Sequence, residues 1–223
     1  MFDATEFFEI SNTFMSTPER LSANCPESGC LLLLEDKLEV PVMISAPHAI
    51  AHIREGKKKY AEPDTAALAI SLVPELKCAG LINIDGNRDP NFDKDKPFCD
   101  VMEEVIKKHD LRAVLDLHES DPNRSYSFAV GTGFGANIND DPEIAPALLA
   151  ICEKHGVQNA VADLPPYAAI GEDRIATTMN RRCGVPAVQL EINCGYLTED
   201  DPKYAPEKVY NVVRDMVVYL GRM

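Results

Sequence analysis

Short apolar runs alternate along this sequence with longer segments whose apolar residues recur every three or four positions. The short runs are dense in Val, Ile and Leu and show little polar alternation, which is typical of strands covered on both faces. We therefore predict strands over residues 30–34, 40–46, 81–85, 113–117, 126–130, 159–162 and 187–192.

The longer segments predict amphipathic helices between those strands. In the segment that begins at Pro97, Phe98, Val101 and Val105 share one face. We expect further helices over residues 65–76, after Pro142 and at the end of the chain. This alternation predicts an α/β fold, a mixed and mostly parallel sheet with helices on both faces. Because the 223 residues contain no internal repeat and no Pro/Gly-rich linker, we expect one domain over residues 1–223.

The charge balance excludes two classes of partner. Lys and Arg number 22 and Asp and Glu number 36, which gives a net charge of −14. Nucleic acids and anionic membranes need a broad surface of clustered cations, so we expect neither as a partner. A local basic pocket is compatible with this balance, and homo-oligomerisation stays open.

Composition also bears on the cellular compartment. No stretch is apolar over the ~20 residues that a membrane span requires. The acidic amino terminus lacks the basic and apolar regions of a secretory signal. The 7 cysteines, which include Cys25 and Cys30 as the only close pair, form no CxxC motif. We therefore expect a cytoplasmic protein whose cysteines are mostly small buried hydrophobes.

Polar residues stand where the predicted strands end. Two histidines, an Asn-Arg pair and a carboxylate occupy such places: His48, Asn87, Arg88, His118 and Glu191. The carboxyl ends of parallel strands meet at one edge of a sheet, where open α/β sheets place their ligands. Glu191 lies in an otherwise apolar run, and a buried carboxylate is costly unless it is paired or functional.

This set of residue types favours metal-assisted hydrolysis. Two imidazoles and a carboxylate are the usual ligands of a catalytic zinc, with the fourth position left to water. The metal lowers the pKa of that water towards ~7 and polarises a carbonyl, while a separate carboxylate accepts the proton. An arginine can bind a substrate carboxylate or stabilise an oxyanion. No nucleophile-elbow context accompanies a Ser or Cys, so covalent catalysis is disfavoured.

The segments SAPHAI, NIDGNRDP, LDLHES and VQLEIN occur in this order between Ser45 and Asn193. In this respect the chain resembles the N-formylglutamate amidohydrolase family, which is itself similar to zinc carboxypeptidases and to the aspartoacylase and succinylglutamate desuccinylase group. The resemblance implies a zinc-carboxypeptidase-like (phosphorylase/hydrolase-like) fold. It also implies zinc ligation by His48 and His118, a general base at Glu191, and a substrate contact from Arg88 with Asn87 before it.

The resemblance leaves the second zinc ligand less certain than the histidines. In carboxypeptidases a Glu follows the first His by three residues, a place that Ala51 takes here. The amidohydrolases use an acidic residue at the start of the next helix, which matches Asp64, with Glu62 as the rival. An Asp before a helix is most often its N-cap, so Asp64 also has a structural interpretation.

Other polar residues have competing structural and functional interpretations. Arg174 and Arg181 are candidate substrate contacts in a region with mixed loop and helix signals. Arg88 has ion pairing with nearby aspartates as its alternative role. His52 is a weaker ligand candidate than His48, because the loop context argues against a helical pair. The lysines at 57–59 are interpreted as a solvated surface that could also attract an anionic substrate.

We therefore expect a zinc-dependent amidohydrolase that cleaves a non-internal amide bond of a small N-acyl amino acid. In this scheme His48, Asp64 and His118 hold the metal, Glu191 is the base, and Arg88 stabilises the oxyanion. A metallocarboxypeptidase acting on short peptides and a non-catalytic binding protein of the same fold are the alternatives. The acyl group, the amino-acid specificity and the metal used in the cell stay open at this point.

Overall fold

The computed structural model describes residues 2–16, 29–34, 37–197 and 206–223. The strands are β1 (Cys30–Leu34), β2 (Val42–Ala46), β3 (His52–Arg54), β4 (Lys57–Lys59), β5 (Ala79–Asn83), β6 (Ala113–Ser120), β7 (Phe128–Gly131), β8 (Val161–Ala162) and β9 (Ala187–Asn193). The helices are α1 (Ala4–Ser16), α2 (Pro63–Leu76), α3 (Pro97–His109), α4 (Ile144–Lys154), α5 (Ile175–Cys183) and α6 (Pro206–Leu220).

The main sheet has 7 strands in the order β1-β5-β2-β6-β9-β7-β8. Its centre is parallel: β5, β2, β6 and β9 all run in one direction. The strands β1 and β7 pair antiparallel with β5 and β9. This arrangement brings the carboxyl ends of the central strands to one edge of the sheet.

Helices cover both faces of the sheet, as the apolar strands predict. Strand β2 is buried along its whole length, and its side chains enter two separate cores in alternation. Val42 and Ile44 belong to the core that also contains residues of α1, α2, α4 and α6. Met43 belongs to the core under α3 and α5. Because successive side chains of a strand point to opposite faces, one continuous apolar run contributes residues to both hydrophobic cores.

All the strands predicted for the main sheet are present, most of them with shifted ends. The region between β2 and α2, where no strand is predicted, contains a separate two-stranded hairpin of β3 and β4. Glu55 and Gly56 connect the strands and both have positive φ angles, 50° and 72°. Positive φ at both central residues is the requirement of the two-residue turn that matches hairpin twist.

The start of α2 also differs from the prediction. The N-cap position belongs to Glu62 rather than Asp64, and the Glu62 side chain makes no capping hydrogen bond. The backbone N–H of Thr65 instead donates to the carboxylate of Glu119, at 3.1 Å. A carboxylate at a helix N-terminus satisfies a free N–H and interacts well with the helix dipole. Glu119 therefore caps α2, and the Glu62 carboxylate is available elsewhere.

The cysteines in the described residues are free thiols, and four of them are buried, as expected for small hydrophobes: Cys30, Cys78, Cys99 and Cys152. Cys25 lies outside the described residues. No helix in the described ranges combines the length and apolar character needed to span a membrane.

Gly80 in β5 allows a close approach between the sheet and α2. A Cβ atom at this position would lie 2.7 Å from Cγ2 of Val73 and 3.3 Å from Cβ of Leu33. We expect Gly80→Ala to lower the free energy of unfolding by about 1–3 kcal/mol, the usual cost of overpacking a core, measured by urea denaturation. In a Val73→Ala background the same change should cost less, because the contacting methyl group is gone. Equal costs in both backgrounds would show that Val73 does not cause the strain.

Candidate active site

The ends of the parallel strands bring the strand-terminal residues of the sequence together. His48 follows β2, Asp89 lies in the loop after β5, and His118 lies near the end of β6. Glu191 in β9 is paired in register with His118. His48, Asp89 and His118 are at most 3% exposed, and Glu191 is 9% exposed. Several ionisable side chains are thus buried in one place.

His48, Glu62 and His118 form the centre of this cluster. The Nδ1 atoms of the two histidines are 3.1 Å apart. One Glu62 oxygen lies 3.0 Å from Nδ1 of His48, and the other lies 3.3 Å from Nδ1 of His118. Both rings therefore present the same nitrogen to one carboxylate.

The opposite nitrogen of each ring faces a fully buried carboxylate. Nε2 of His48 is 2.9 Å from Asp89, and Nε2 of His118 is 2.9 Å from Asp116. A carboxylate accepts hydrogen bonds, so Asp89 and Asp116 favour a proton on each Nε2, and in a neutral ring the lone pair would then be on Nδ1. The two Nδ1 atoms are only 3.1 Å apart, so a proton or a metal cation between them would remove the repulsion of two lone pairs.

The donor set fits a zinc ion. Two imidazole nitrogens and a carboxylate are suitable zinc ligands, and ligand atoms about 2.0–2.1 Å from a tetrahedral zinc lie about 3.3 Å from one another. Here the two Nδ1 atoms are 3.1 Å apart, and each lies 3.0 or 3.3 Å from a different oxygen of Glu62. Buried carboxylates behind both rings are also the usual outer partners of metal-bound histidines.

The electrostatics of the cluster favour positive charge between the rings. Burial alone lowers the pKa of His48, but Glu62 and Asp89 outweigh it and raise that pKa overall. For His118, burial also lowers the pKa, but Asp116 and Glu62 raise it well above its ordinary value. Burial raises the pKa of Glu62, yet the two histidines hold it well below the usual range.

His52 stacks on His48 outside this centre. The two ring centroids are 4.3 Å apart with an interplanar angle of 10°. Nε2 of His52 is 3.3 Å from the second oxygen of Asp89, which also binds Arg54. His48, His52 and Asp89 thus form a second group with metal-ligand chemistry. Because Asp89 already contacts both histidines and Arg54, we interpret this group as the support that orients His48.

Glu191 is held by a neighbour on the same strand. Nε2 of Gln189 donates to its Oε1 at 3.0 Å. Burial raises the pKa of Glu191 to about 7, and the charge of His118 opposes this increase. A carboxyl group with this pKa exchanges its proton readily near neutral pH, as a general acid and base must.

The cluster lies in the floor of an open cavity of about 590 Å³. Four cationic side chains line it in a protein whose net charge is −14: Arg54, Lys59, Arg124 and Arg174. Nη1 of Arg174 donates to the carbonyl of Asn91 at 3.1 Å, and the guanidinium of Arg124 stacks over the Tyr167 ring, 5.6 Å from its centroid. These cations share the lining with four carboxyl groups, those of Glu62, Glu119, Asp121 and Glu191.

Asp64, the predicted second ligand, is not part of the cluster. It lies in the first turn of α2, where burial raises its pKa and a hydrogen bond with Ser11 of α1 opposes the increase. The structure brings Glu62, the rival candidate, to the two histidines instead. The reason is that α2 starts one residue before Asp64, so that Glu62 occupies the N-cap position, where its side chain contacts both histidines.

Three of the predicted substrate contacts also lie away from the cavity. Arg88 is 43% exposed and pairs with Asp95 at 3.0 Å and Asp85 at 3.5 Å. The exposed Asn87 donates to Asp85, and Arg181 lies 3.9 Å from the exposed Glu172. Of the predicted substrate residues, Arg174 lines the cavity. Ion pairing, the alternative role of Arg88, is the one that its position supports.

The sequence analysis missed the carboxylates behind the histidines. Asp89 follows Arg88 in the NRDP segment, and Asp116 stands two residues before His118 in LDLH. Both could have been found by asking which carboxylates at the same strand ends would pair with buried imidazoles. No sequence signal identifies Arg54 and Arg124 as cavity residues. Their approach to the cavity depends on the β3–β4 hairpin for Arg54 and on the loop after β6 for Arg124.

Comparisons with known proteins identify the fold. No family model matches the sequence, and no curated protein sequence matches it. The structure of N-formylglutamate amidohydrolase from Ralstonia eutropha JMP134 superposes with a TM-score of 0.60 at 13% identity, covering 87% of this chain and 99% of that protein. A bacteriophage poly-gamma-glutamate hydrolase gives 0.55 at 14% identity, covering 90% and 94%. Succinylglutamate desuccinylase from Chromobacterium violaceum gives 0.53 at 13% identity, covering 85% and 67%.

This chain has the fold of these proteins. The predicted fold class is confirmed, and so is the resemblance at the level of the fold.

The cluster predicts which carboxylate is needed to hold a metal. We expect purified protein to bind about one zinc per chain, and His118→Ala to abolish binding. Glu62→Gln should weaken zinc affinity by more than about 100-fold, since even outer partners of a ligand contribute 10–100-fold. Asp64→Asn, the matched change two residues away, should leave affinity within about threefold of wild type. Titration with a chromophoric zinc chelator measures each value; loss in Asp64→Asn with retention in Glu62→Gln would reverse the assignment.

Proposed function

We propose that this protein is a metal-dependent hydrolase of amide bonds other than internal peptide bonds, with zinc as its metal. Its proposed substrate is a small N-acyl amino acid similar to N-formylglutamate. The observation that carries the proposal is the convergence of two histidine Nδ1 atoms and the Glu62 carboxylate. Glu191 is located in the same cavity and provides a separate base.

His48, Glu62 and His118 would hold the metal. A zinc ion bound there would lower the pKa of water and polarise the substrate carbonyl. Asp89 and Asp116 would keep both rings in the tautomer that offers Nδ1, and they would fix the ring orientations. This role explains why two carboxylates are fully buried beside the cluster.

Glu191 would move the proton. Its carboxylate would accept a proton from the attacking water and then donate it to the leaving nitrogen, so that the C–N bond breaks as an amine departs. Gln189 binds Oε1 of Glu191, which leaves Oε2 for proton transfer. The burial of Glu191 favours its neutral form, so the carboxyl group would retain the proton until the amine leaves.

Arg174 would bind the substrate carboxylate. It lines the cavity, is half-buried, and forms no ion pair with any described residue. An arginine without a carboxylate partner at an active site is suited to bidentate recognition of a substrate carboxylate. This assignment replaces Arg88, whose guanidinium is engaged by Asp85 and Asp95 outside the cavity.

The activities for which the structural neighbours are named support the same reaction class. They are a formylglutamate amidohydrolase, a poly-gamma-glutamate hydrolase and a succinylglutamate desuccinylase. Each name denotes a glutamate derivative, whose carboxylate would suit the cationic side chains in part of the cavity lining.

Glu191→Gln tests the proposed base. We expect kcat for N-acyl amino acid hydrolysis to fall by about 10²–10⁴-fold, because general acid–base catalysis contributes that much, while zinc content is unchanged. Glu172→Gln, a matched change on the surface, should keep wild-type activity. Unchanged turnover in Glu191→Gln would refute the role. A wild-type protein that releases carboxyl-terminal residues from peptides, but does not hydrolyse N-acyl amino acids, would favour a carboxypeptidase. A zinc-loaded wild-type protein that hydrolyses neither N-acyl amino acids nor peptides would favour a binding protein.

Arg174→Ala and Arg88→Ala form a second matched pair. Removal of Arg174 should lower kcat/KM by about 10–100-fold, because a charge-assisted hydrogen bond contributes about 1.5–3 kcal/mol, with the effect mainly on KM. Arg88→Ala should change kcat/KM by less than about threefold, as expected for an exposed ion pair. The opposite order of effects, measured by steady-state kinetics, would restore Arg88 as the substrate contact.

A further inference from the structure

The loop after β5 meets the start of α5 at the cavity. Nη1 of Arg174 donates to the Asn91 carbonyl at 3.1 Å, and the Ile175 N–H donates to Oδ1 of Asn91 at 2.9 Å. Arg174 is the N-cap residue of α5 and its side chain makes no capping hydrogen bond, so Asn91 satisfies a free N–H of that helix. Asn91 is 4% exposed, and both Asn91 and Arg174 line the cavity. Asn91 therefore holds the residue that we assign to the substrate carboxylate.

Asn91 is also in contact with the histidine cluster. Its backbone N–H donates to Oδ1 of Asp89 at 3.1 Å, and the same oxygen lies 2.9 Å from Nε2 of His48. Its Nδ2 atom lies 3.4 Å from Nε2 of His118, so the amide group is in contact with that ring. One buried residue thus connects both histidines to the segment that carries Arg174.

Lys96 joins the same two segments a second time. Its Nζ donates to the carbonyl of Pro90 at 3.0 Å and to that of Asp173 at 2.6 Å, and these residues immediately precede Asn91 and Arg174. Lys96 is 7% exposed and forms no ion pair with any described residue. Burial of an ammonium group without a carboxylate partner is unfavourable, and burial lowers the pKa of Lys96. Two hydrogen bonds between the segments offset this cost.

We infer that Asn91 is a positioning residue that sets the distance from Arg174 to the histidine cluster, so that the protein selects substrates by the spacing between their carboxylate and the scissile carbonyl. A carboxylate bound by Arg174 and a carbonyl placed at the cluster belong to one substrate, which must span the two. Four hydrogen bonds hold the segments that define this span. A substrate with a longer or shorter link would therefore lose one of the two contacts. This inference rests on the proposed function and adds the feature by which its substrate is selected.

N-formylglutamate and N-formyl-β-glutamate test the inference, because these isomers have the same charge and differ in the distance from the amide to the carboxylates. We expect the wild-type protein to prefer one isomer in kcat/KM. Asn91→Ala should reduce that preference by about 2–10-fold, mainly through KM, since one neutral hydrogen bond is lost. Lys96→Met perturbs the same junction independently and should reduce the preference in the same direction. Asn87→Ala, the matched change at an exposed site of the same loop, should leave the preference within about twofold.

The effect of Asn91→Ala should depend on Arg174. In an Arg174→Ala background, which removes the carboxylate contact, Asn91→Ala should change the isomer preference by less than about twofold. Three results would each overturn the inference. They are equal kcat/KM values of wild type for the two isomers, an equal effect of Asn91→Ala in both backgrounds, and an unchanged preference in both Asn91→Ala and Lys96→Met.

Calorimetry separates the inference from the proposed function. The two isomers are titrated into zinc-loaded Glu191→Gln protein and into the same variant with Asn91→Ala. Isomer-selective binding that Asn91→Ala reduces, in a protein whose wild type hydrolyses neither isomer, would retain the positioning role and reject the hydrolase. Hydrolysis with a preference that neither Asn91→Ala nor Lys96→Met changes would retain the hydrolase and reject the positioning role. Failure of both isomers to bind and to be hydrolysed would reject both.

Discussion

The two central imidazoles face each other because a buried carboxylate holds the far nitrogen of each ring. Asp89 and Asp116 bind Nε2 of His48 and His118 at 2.9 Å, and both Nδ1 atoms face Glu62. The proposed roles of the cavity cations and of Glu191 both depend on this fixed centre.

The amino-terminal end of α2 shows how the fold makes a carboxylate available. A residue at the N-cap position usually satisfies the free N–H groups of its helix, but Glu62 does not. Glu119 takes over that task by accepting from Thr65, and the Glu119 N–H donates to Glu62 at 3.1 Å. Glu119 thus caps the helix, and the Glu62 carboxylate contacts the two histidines.

Sequence reasoning named some residues of this buried cluster but not all of them. His48, His118 and Glu191 could be found because each stands at a strand end in a strongly apolar context. Asp64 was preferred over Glu62 because helix starts are uncertain by one or two residues, and a shift of that size changes which carboxylate faces the histidines. Arg88 lies outside the cavity for a related reason, since nearby aspartates compete for its guanidinium and only the tertiary structure decides which contacts form.

The sequence by itself determined the alternation of strands and helices, the parallel centre of the sheet and the edge at which polar residues gather. These follow from local periodicity, which is a property of neighbouring residues. The tertiary structure decided which carboxylate completes the cluster, which cations face the cavity and that residues 52–59 form a hairpin. Those outcomes depend on distances between segments far apart in the chain, and no local pattern specifies them.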